Sequence, residues 1–185
     1  MIIAICGHKF SGKSTVARLL HNATGYPVVS FADKLKDITC VLSGCTREQL
    51  EDYDFKENEL VPDCLRPCCG NAKKPTFRAF LQHFGSEVMR GANDNIWIDC
   101  TLSNCEKDVI ISDCRFPNEA KAIKERGGVV IKVVRPNAKA SDSHQSETLI
   151  DEIRADYTIW NDTTLEDLVA NVDSLVRLLR ANGRI

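Results

Sequence analysis

The chain has 185 residues, a formal net charge of −2 and nine cysteines, with a sequence pI of about 6.1. That length suits one domain with a real core, and the slightly acidic balance gives no basic surface for nucleic acid or membrane. The longest apolar run, six residues at the N-terminus, is too short for a signal peptide or a membrane span. The expected setting is therefore the cytoplasm, where cysteines read as reduced thiols rather than a disulfide framework.

The first element is an apolar strand, Ile2-Ile3-Ala4-Ile5-Cys6. It runs into Gly7-His8-Lys9-Phe10-Ser11-Gly12-Lys13-Ser14, a complete G-x-x-x-x-G-K-[ST] phosphate loop, and then into Thr15-Val16-Ala17-Arg18-Leu19-Leu20, spaced as a helix. Strand, loop and helix in that order are the context in which this motif binds a nucleoside triphosphate. Gly7 and Gly12 let the backbone N–H groups turn inward, and the helix N-terminus adds its positive dipole. Lys13 reaches the β- and γ-phosphates and Ser14 ligates Mg²⁺. Lys9, Ser11 and Thr15, within or beside the loop, complete the ATP-binding set.

Val28-Val29-Ser30-Phe31 reads as a second strand, followed by a helix starting near Asp33-Lys34-Leu35-Lys36. Residues 51–75 read as a polar, irregular and mobile insertion punctuated by Pro62, Pro67, Gly70 and Pro75. Within it, Cys64, Cys68 and Cys69 lack a fourth ligand at zinc spacing, and are taken as small, soft loop residues. Thr76 N-caps a helix whose Phe77, Phe80, Leu81, Phe84 and Val88 recur at helical spacing up to Arg90. Val109-Ile110-Ile111-Ser112-Asp113 is a strand ending in a carboxylate. Pro117 opens a helix that stops at Gly127-Gly128, and Val129–Val134 is the next strand, closed by Arg135-Pro136. The small, polar residues 136–147 suit a lid that closes over phosphates and excludes water. Tyr157–Trp160 is a last strand leading to Asn161-Asp162. Thr163-x-x-Glu166 forms a capping box for a helix with Leu165, Leu168, Val169, Val172, Leu175, Val176 and Leu179 on its apolar face.

Continuously apolar strands alternating with helices indicate a parallel sheet covered on both faces. The expected fold is a single α/β domain of three layers, a P-loop NTPase fold with a five-stranded parallel sheet. A helical region at 37–100 is assigned to the acceptor and 136–147 to the lid. No Asn-Lys-x-Asp segment reads a guanine base, and no sensor or arginine-finger element of a motor ATPase is found. Small size and arginines after separate strands point to a small-substrate kinase.

Ser30-Phe31-Ala32-Asp33-Lys34-Leu35-Lys36, Phe80-Leu81-Gln82-His83-Phe84-Gly85-Ser86-Glu87 with Arg90, Asp113-Cys114-Arg115-Phe116-Pro117-Asn118-Glu119-Ala120 and Ser143-His144-Gln145-Ser146-Glu147 resemble the phage and viral deoxynucleoside monophosphate kinases. So does Asp156-Tyr157-x-Ile159-x-Asn161-Asp162, so the likeness runs from end to end. The Cys-rich stretch at 64–70, Phe77 and Ser86 depart from the family pattern and bear on acceptor specificity. The resemblance implies a nucleoside monophosphate kinase-like fold, Mg²⁺ with ATP, and phosphorylation of a (deoxy)nucleoside monophosphate to the diphosphate for nucleotide supply. It also implies host-cell cytoplasm for a viral protein; a homodimer is the assembly considered.

A phosphate acceptor is already ionised near neutral pH, so it needs a clamp rather than a base, and Arg guanidinium forks fit phosphate best. Lys13, Arg115 and Asp113 are the catalytic candidates. Arg115 lies just past a strand end, where ligands bind in open α/β sheets, and Asp113 shares Mg²⁺ with Ser14. The acceptor set is Asp33, Lys36, Arg78, Gln82, Glu87 and Arg115; Arg78 is preferred to Arg90, which lies more than three helical turns away. Arg135 and Asn161 belong to the ATP site, Asn161 largely through its backbone. His144 and Glu147 carry no role that their residue types dictate. A helix-capping Asp113 and solvent-facing arginines are the plainer alternatives. Two other functions stay open. One is a dephospho-CoA kinase-like reaction on a sugar hydroxyl, with a carboxylate near Asp33 assisting proton removal; the other is a non-catalytic nucleotide-binding regulator.

Overall fold

In the computed structural model, which describes residues 1–105, 107–136 and 144–185, strand β1 (Ile2–Cys6) is the centre of a five-stranded sheet of order β2-β3-β1-β4-β5. The flanking strands are β2 (Val28–Val29), β3 (Val109–Cys114), β4 (Val129–Val134) and β5 (Tyr157–Trp160), all parallel to their neighbours. Ile3 of β1 pairs with Ile110 on one side and Val129 on the other. The chain divides into two compact units, Met1–Phe31 with Asn104–Ile185, and Ala32–Ser103.

The first unit carries the whole sheet. Side chains alternate along a strand, and Ile3, Ile5, Ile131 and Val133 face a core made with α1 (Lys13–Thr24) and α9 (Leu165–Ala181) through Val16, Leu20, Leu168, Val172, Val176 and Leu179. On the opposite face α7 (Pro117–Glu125) packs against β1 and β4, with Ala120 and Ile123 buried. The N-cap of α9 is one residue later than the sequence suggests. Thr164 accepts from Asp167 N–H at 3.2 Å and Asp167 accepts in return from Thr164 N–H at 3.3 Å, so Thr164 and Asp167 form the capping box, not Thr163 and Glu166. Leu165 then falls in the first turn and is exposed. Strand β2 ends after Val29 because the Ser30 hydroxyl and the Phe31 N–H turn to Asp113 instead of continuing a ladder.

The second unit is helical: α2 (Asp33–Ser43), α3 (Arg47–Glu51), α4 (Tyr53–Asn58), a 3₁₀ segment (Asp63–Cys69), α5 (Phe77–Gln82), a π-helical stretch (His83–Arg90) and α6 (Ile96–Leu102). The stretch 51–75 is thus irregular only in part: 53–58 and 63–69 are helical, while 70–75 run through turns and bends. The stretch supplies Val61, Leu65 and Cys69 to a core with Leu50, Phe77 and Phe80, and Leu60 bridges Thr76. Helices of five or six residues are too short to display a period, which hides them in the sequence. Their caps hold them: Thr46 with Gln49, and Asp52 accepting from Phe55 N–H at 2.7 Å. The expected helix from Phe77 to Arg90 keeps α geometry only to Gln82. Beyond it the wider π turn brings Gly85 against Leu35 and gives the Gly85 carbonyl to the buried Trp97 indole N–H at 2.9 Å. A π segment inside a helix is a local widening with a specific contact behind it. Cys64 is exposed while Cys69 is buried, and among the described residues no group of three His, Cys, Asp or Glu is placed to hold a metal ion. No helix among them is long and apolar enough to cross a membrane.

Candidate active site

The phosphate loop is shaped by backbone that few residues tolerate. Gly7 has φ 146°, Phe10 φ 64° and Gly12 φ 100°, a region that costs a side chain free energy. A methyl group on Gly7 would overlap the Val133 carbonyl oxygen and lie 2.8 Å from Ser11 Oγ; one on Gly12 would overlap Asn161 Nδ2. That amide donates to the Ser11 carbonyl at 2.9 Å, while the Asn161 N–H extends the β4–β5 ladder to Val134. The side chain of Asn161 is therefore a brace for the loop itself, a contact the sequence does not advertise. Ser11 is buried, Thr15 half-buried and Ser14 exposed at the start of α1.

Lys13 folds over the loop, its Nζ donating to the Gly7 and His8 carbonyls at 2.7 Å each. Burial lowers its pKa to about 8, and the Arg115 charge lowers it too, while Glu147 and Asp113 act in the opposite sense. These four groups thus share one electrostatic environment. Asp113, at the end of β3, accepts from Ser30 Oγ at 2.5 Å and Phe31 N–H at 2.7 Å. Arg115 is fixed twice. Its N–H and that of Phe116 donate to the buried Glu119 carboxylate at 2.7 and 3.1 Å, and its guanidinium pairs with Glu147. Glu147 is 3% exposed, and its other oxygen accepts from Lys9 N–H at 2.9 Å. Sequence reasoning left Glu147 and Glu119 without roles; their presence in the motifs at 143–147 and 113–120 was the available signal.

The donor set suits magnesium. Asp113 presents an ionisable carboxylate, an oxygen ligand of the kind that Mg²⁺ takes, at the end of the strand beside the loop. Mg²⁺ is held by one or two carboxylates plus phosphate oxygens rather than an all-protein cage, a set that Asp113 and the Ser14 hydroxyl could complete with a bound triphosphate. Arg135 is exposed at the end of β4. Of the expected lid, residues 137–143 lie outside the described residues.

The remaining candidates belong to the helical unit. Asp33, in the first turn of α2, pairs with Arg47, which also binds Asp37 at 2.6 Å and Glu51 at 3.0 Å. Lys36 pairs with Glu51 at 2.7 Å and Arg78 with Glu57 at 3.0 Å. Arg78 and Gln82, four apart on α5, share a face; Glu87 meets His83 at 3.3 Å and Arg90 meets Asp94 at 2.7 Å. Lys56, which the sequence did not single out, has its pKa lowered by burial and by the charges of Arg78 and Lys36. Glu51 and Asp52 act on Lys56 in the opposite sense, so these cations lie among carboxylates that include the partners of Lys36 and Arg78.

The sequence pattern of the Deoxynucleotide monophosphate kinase family matches residues 41–172. A protein of Acanthamoeba polyphaga mimivirus, named provisionally as a deoxynucleotide monophosphate kinase, is 34% identical over 193 residues, covering 95% of this chain and 96% of its own. The deoxynucleotide monophosphate kinase of Enterobacteria phage T4 is 34% identical over 70 residues, 38% of this chain and 29% of its own. Among solved structures, a shikimate kinase from Acinetobacter baumannii in complex with shikimate shares the fold, with a TM-score of 0.50 and 15% identity over 98% of this chain and 93% of that one. The chain belongs to the deoxynucleotide monophosphate kinase family.

Proposed function

We propose that the chain transfers the γ-phosphoryl group of ATP to a deoxynucleoside monophosphate, forming the diphosphate. The observation that carries this reading is the electrostatic grouping of Lys13, Arg115, Glu147 and Asp113 at the phosphate loop. Phosphoryl transfer needs positioning and positive charge more than covalent chemistry. The loop N–H groups and Lys13 hold the triphosphate, with Gly7, Lys9, Ser11, Gly12 and Thr15 forming the cradle and Arg135 and Asn161 the nucleoside side. Ser14 and Asp113 would hold magnesium together with the phosphates, and it would neutralise their charge. Arg115 offers its fork to the phosphate that receives the group. Asp33, Lys36, Arg78, Gln82 and Glu87 serve the acceptor, with Lys36 and Arg78 supplying charge to its dianion. No general base is assigned, because a phosphate oxygen attacks without losing a proton near neutral pH.

The test is a coupled assay with ATP, Mg²⁺ and a panel of deoxynucleoside monophosphates beside dephospho-CoA. ADP release with at least one monophosphate, and none above background with dephospho-CoA, supports the reading. Turnover of dephospho-CoA alone, or nucleotide binding with no transfer to any acceptor, overturns it.

A further inference from the structure

Glu147 makes two hydrogen bonds that bear on the chemistry, one from each carboxylate oxygen, and its Oε2 also lies 3.8 Å from His8 Nδ1 of the phosphate loop. Oε1 accepts from Arg115 Nη1 and Oε2 from the Lys9 N–H of the phosphate loop at 2.9 Å. The side chain is buried, 3% exposed, and its loss would leave a cation beside the loop without its counter-charge. The Arg115 side chain is 30% exposed, so water partly screens the pair, but the buried Glu147 carboxylate keeps it from being a fully exposed surface contact.

The local fold explains how the carboxylate is aimed. Helix α8 (Gln145–Thr148) is a single turn. The Ser146 N–H donates to His144 Nδ1 at 3.2 Å, and the Glu147 N–H to the His144 carbonyl at 2.8 Å. His144 thus caps the turn that presents Glu147, which gives the His-x-Ser-Glu run a physical sense. One turn on, Asp151 meets His8 Nε2 at 3.1 Å and Lys132 Nζ at 3.0 Å. Asp151 is 69% exposed, so these contacts are screened, and the buried carboxylate carries the linkage.

We propose that Glu147 is a positioning residue for phosphoryl transfer, holding the Arg115 guanidinium in fixed register with the entry of the phosphate loop. This rests on the function proposed above. Glu147 touches neither nucleotide in that scheme and acts through Arg115. A guanidinium released from its partner samples other rotamers, and misplacement by about 1 Å of a group that orients reactants costs on the order of 100-fold in rate.

The experiment uses the full chain and separates positioning from general support. Glu147→Gln keeps the size and one acceptor oxygen for Lys9 N–H but removes the charge that orients Arg115. Its kcat/KM for the monophosphate should fall between about tenfold and 100-fold, with ATP affinity changed less than about threefold. Glu147→Asp, which keeps the charge but retracts it by one methylene, should fall between wild type and Glu147→Gln. In an Arg115→Ala background Glu147→Gln should add almost nothing, since two residues acting through one contact are not additive. Thermal unfolding confirms that each variant is folded; if Glu147→Gln does not fold, Glu147→Asp in the wild-type and Arg115→Ala backgrounds makes the same comparison. Unchanged kinetics in Glu147→Gln, or a double variant that loses the product of the two single effects, overturns the inference. So does a loss confined to ATP affinity. A wild-type protein that phosphorylates no monophosphate sinks the proposed function and this inference together, whereas an active wild type with an indifferent Glu147→Gln sinks this inference alone.

Discussion

Replacing Gly7 or Gly12 with alanine should destabilise the protein by different mechanisms, and the difference is measurable. At Gly7 the new methyl overlaps the Val133 carbonyl oxygen, which is fixed backbone of β4, and meets Ser11 Oγ at 2.8 Å. Overpacking of this kind costs about 1–3 kcal/mol, and holding alanine at φ 146° adds a further ~1–3 kcal/mol of strain, giving about 2–6 kcal/mol. At Gly12 the methyl overlaps only the end of the Asn161 side chain, which can swing away. The loss there is similar backbone strain at φ 100° plus the 2.9 Å bond from Asn161 Nδ2 to the Ser11 carbonyl, about 1 kcal/mol. Both totals are large fractions of the roughly 5–15 kcal/mol that holds a domain. Urea unfolding of the two alanine variants, alone and combined with Asn161→Ala, reads the distinction directly. Asn161→Ala should soften Gly12→Ala by about 0.5 kcal/mol or more of coupling and leave Gly7→Ala unrelieved. A Gly7→Ala protein within about 0.5 kcal/mol of wild type, or equal coupling of both glycines to Asn161, would refute this account of the loop.

Three further outcomes follow from the site. Lys13 loses its proton near pH 8 in the folded protein against 10.5 ordinarily, so ATP affinity should decline as pH rises through about 8. Over the window from 8 to 10.5 the unfolded chain holds a proton that the folded chain does not, so folded stability should gain with pH from this group. Cys6, whose pKa burial raises to about 11, acts in the opposite sense, so the Lys13 contribution is read as the difference between wild type and Lys13→Met; a flat difference curve contradicts it. Arg115→Lys should recover only part of the acceptor kcat/KM lost in Arg115→Ala, because a point charge cannot replace a fork; full recovery would argue against bidentate phosphate binding. Asp33→Asn should perturb acceptor binding yet retain measurable transfer to a monophosphate, and abolition of turnover would point to a base and a hydroxyl acceptor.

Much of this architecture is written in short-range patterns. The phosphate loop is legible because its glycines, lysine and serine must be contiguous, and β1, β3 and β4 because buried parallel strands are largely apolar; β5, at the sheet edge, buries only Ile159. The helices of 47–58 were invisible because one and a half turns show no period; their evidence is a cap such as Thr46 with Gln49 and a core residue such as Leu50. The split of the 77–90 helix depends on Trp97 reaching the Gly85 carbonyl, a contact between elements that no local pattern encodes. At the candidate site, Lys13 is picked out by the loop motif, and Asp113 and Arg115 by their place at the end of β3. Their partners were not readable: Glu147 and Asn161 come from far along the chain, and pairing across such separations is fixed by tertiary packing.

The central claim is that the acceptor is a phosphate. It is tested most directly by ³¹P NMR of the product formed from ATP, Mg²⁺ and mixed deoxynucleoside monophosphates, with Lys13→Ala as the control. The account predicts new, mutually coupled phosphoanhydride resonances of a deoxynucleoside diphosphate, growing with ADP and reduced by orders of magnitude in Lys13→Ala. A new phosphomonoester resonance on a sugar hydroxyl with no deoxynucleoside diphosphate would contradict it.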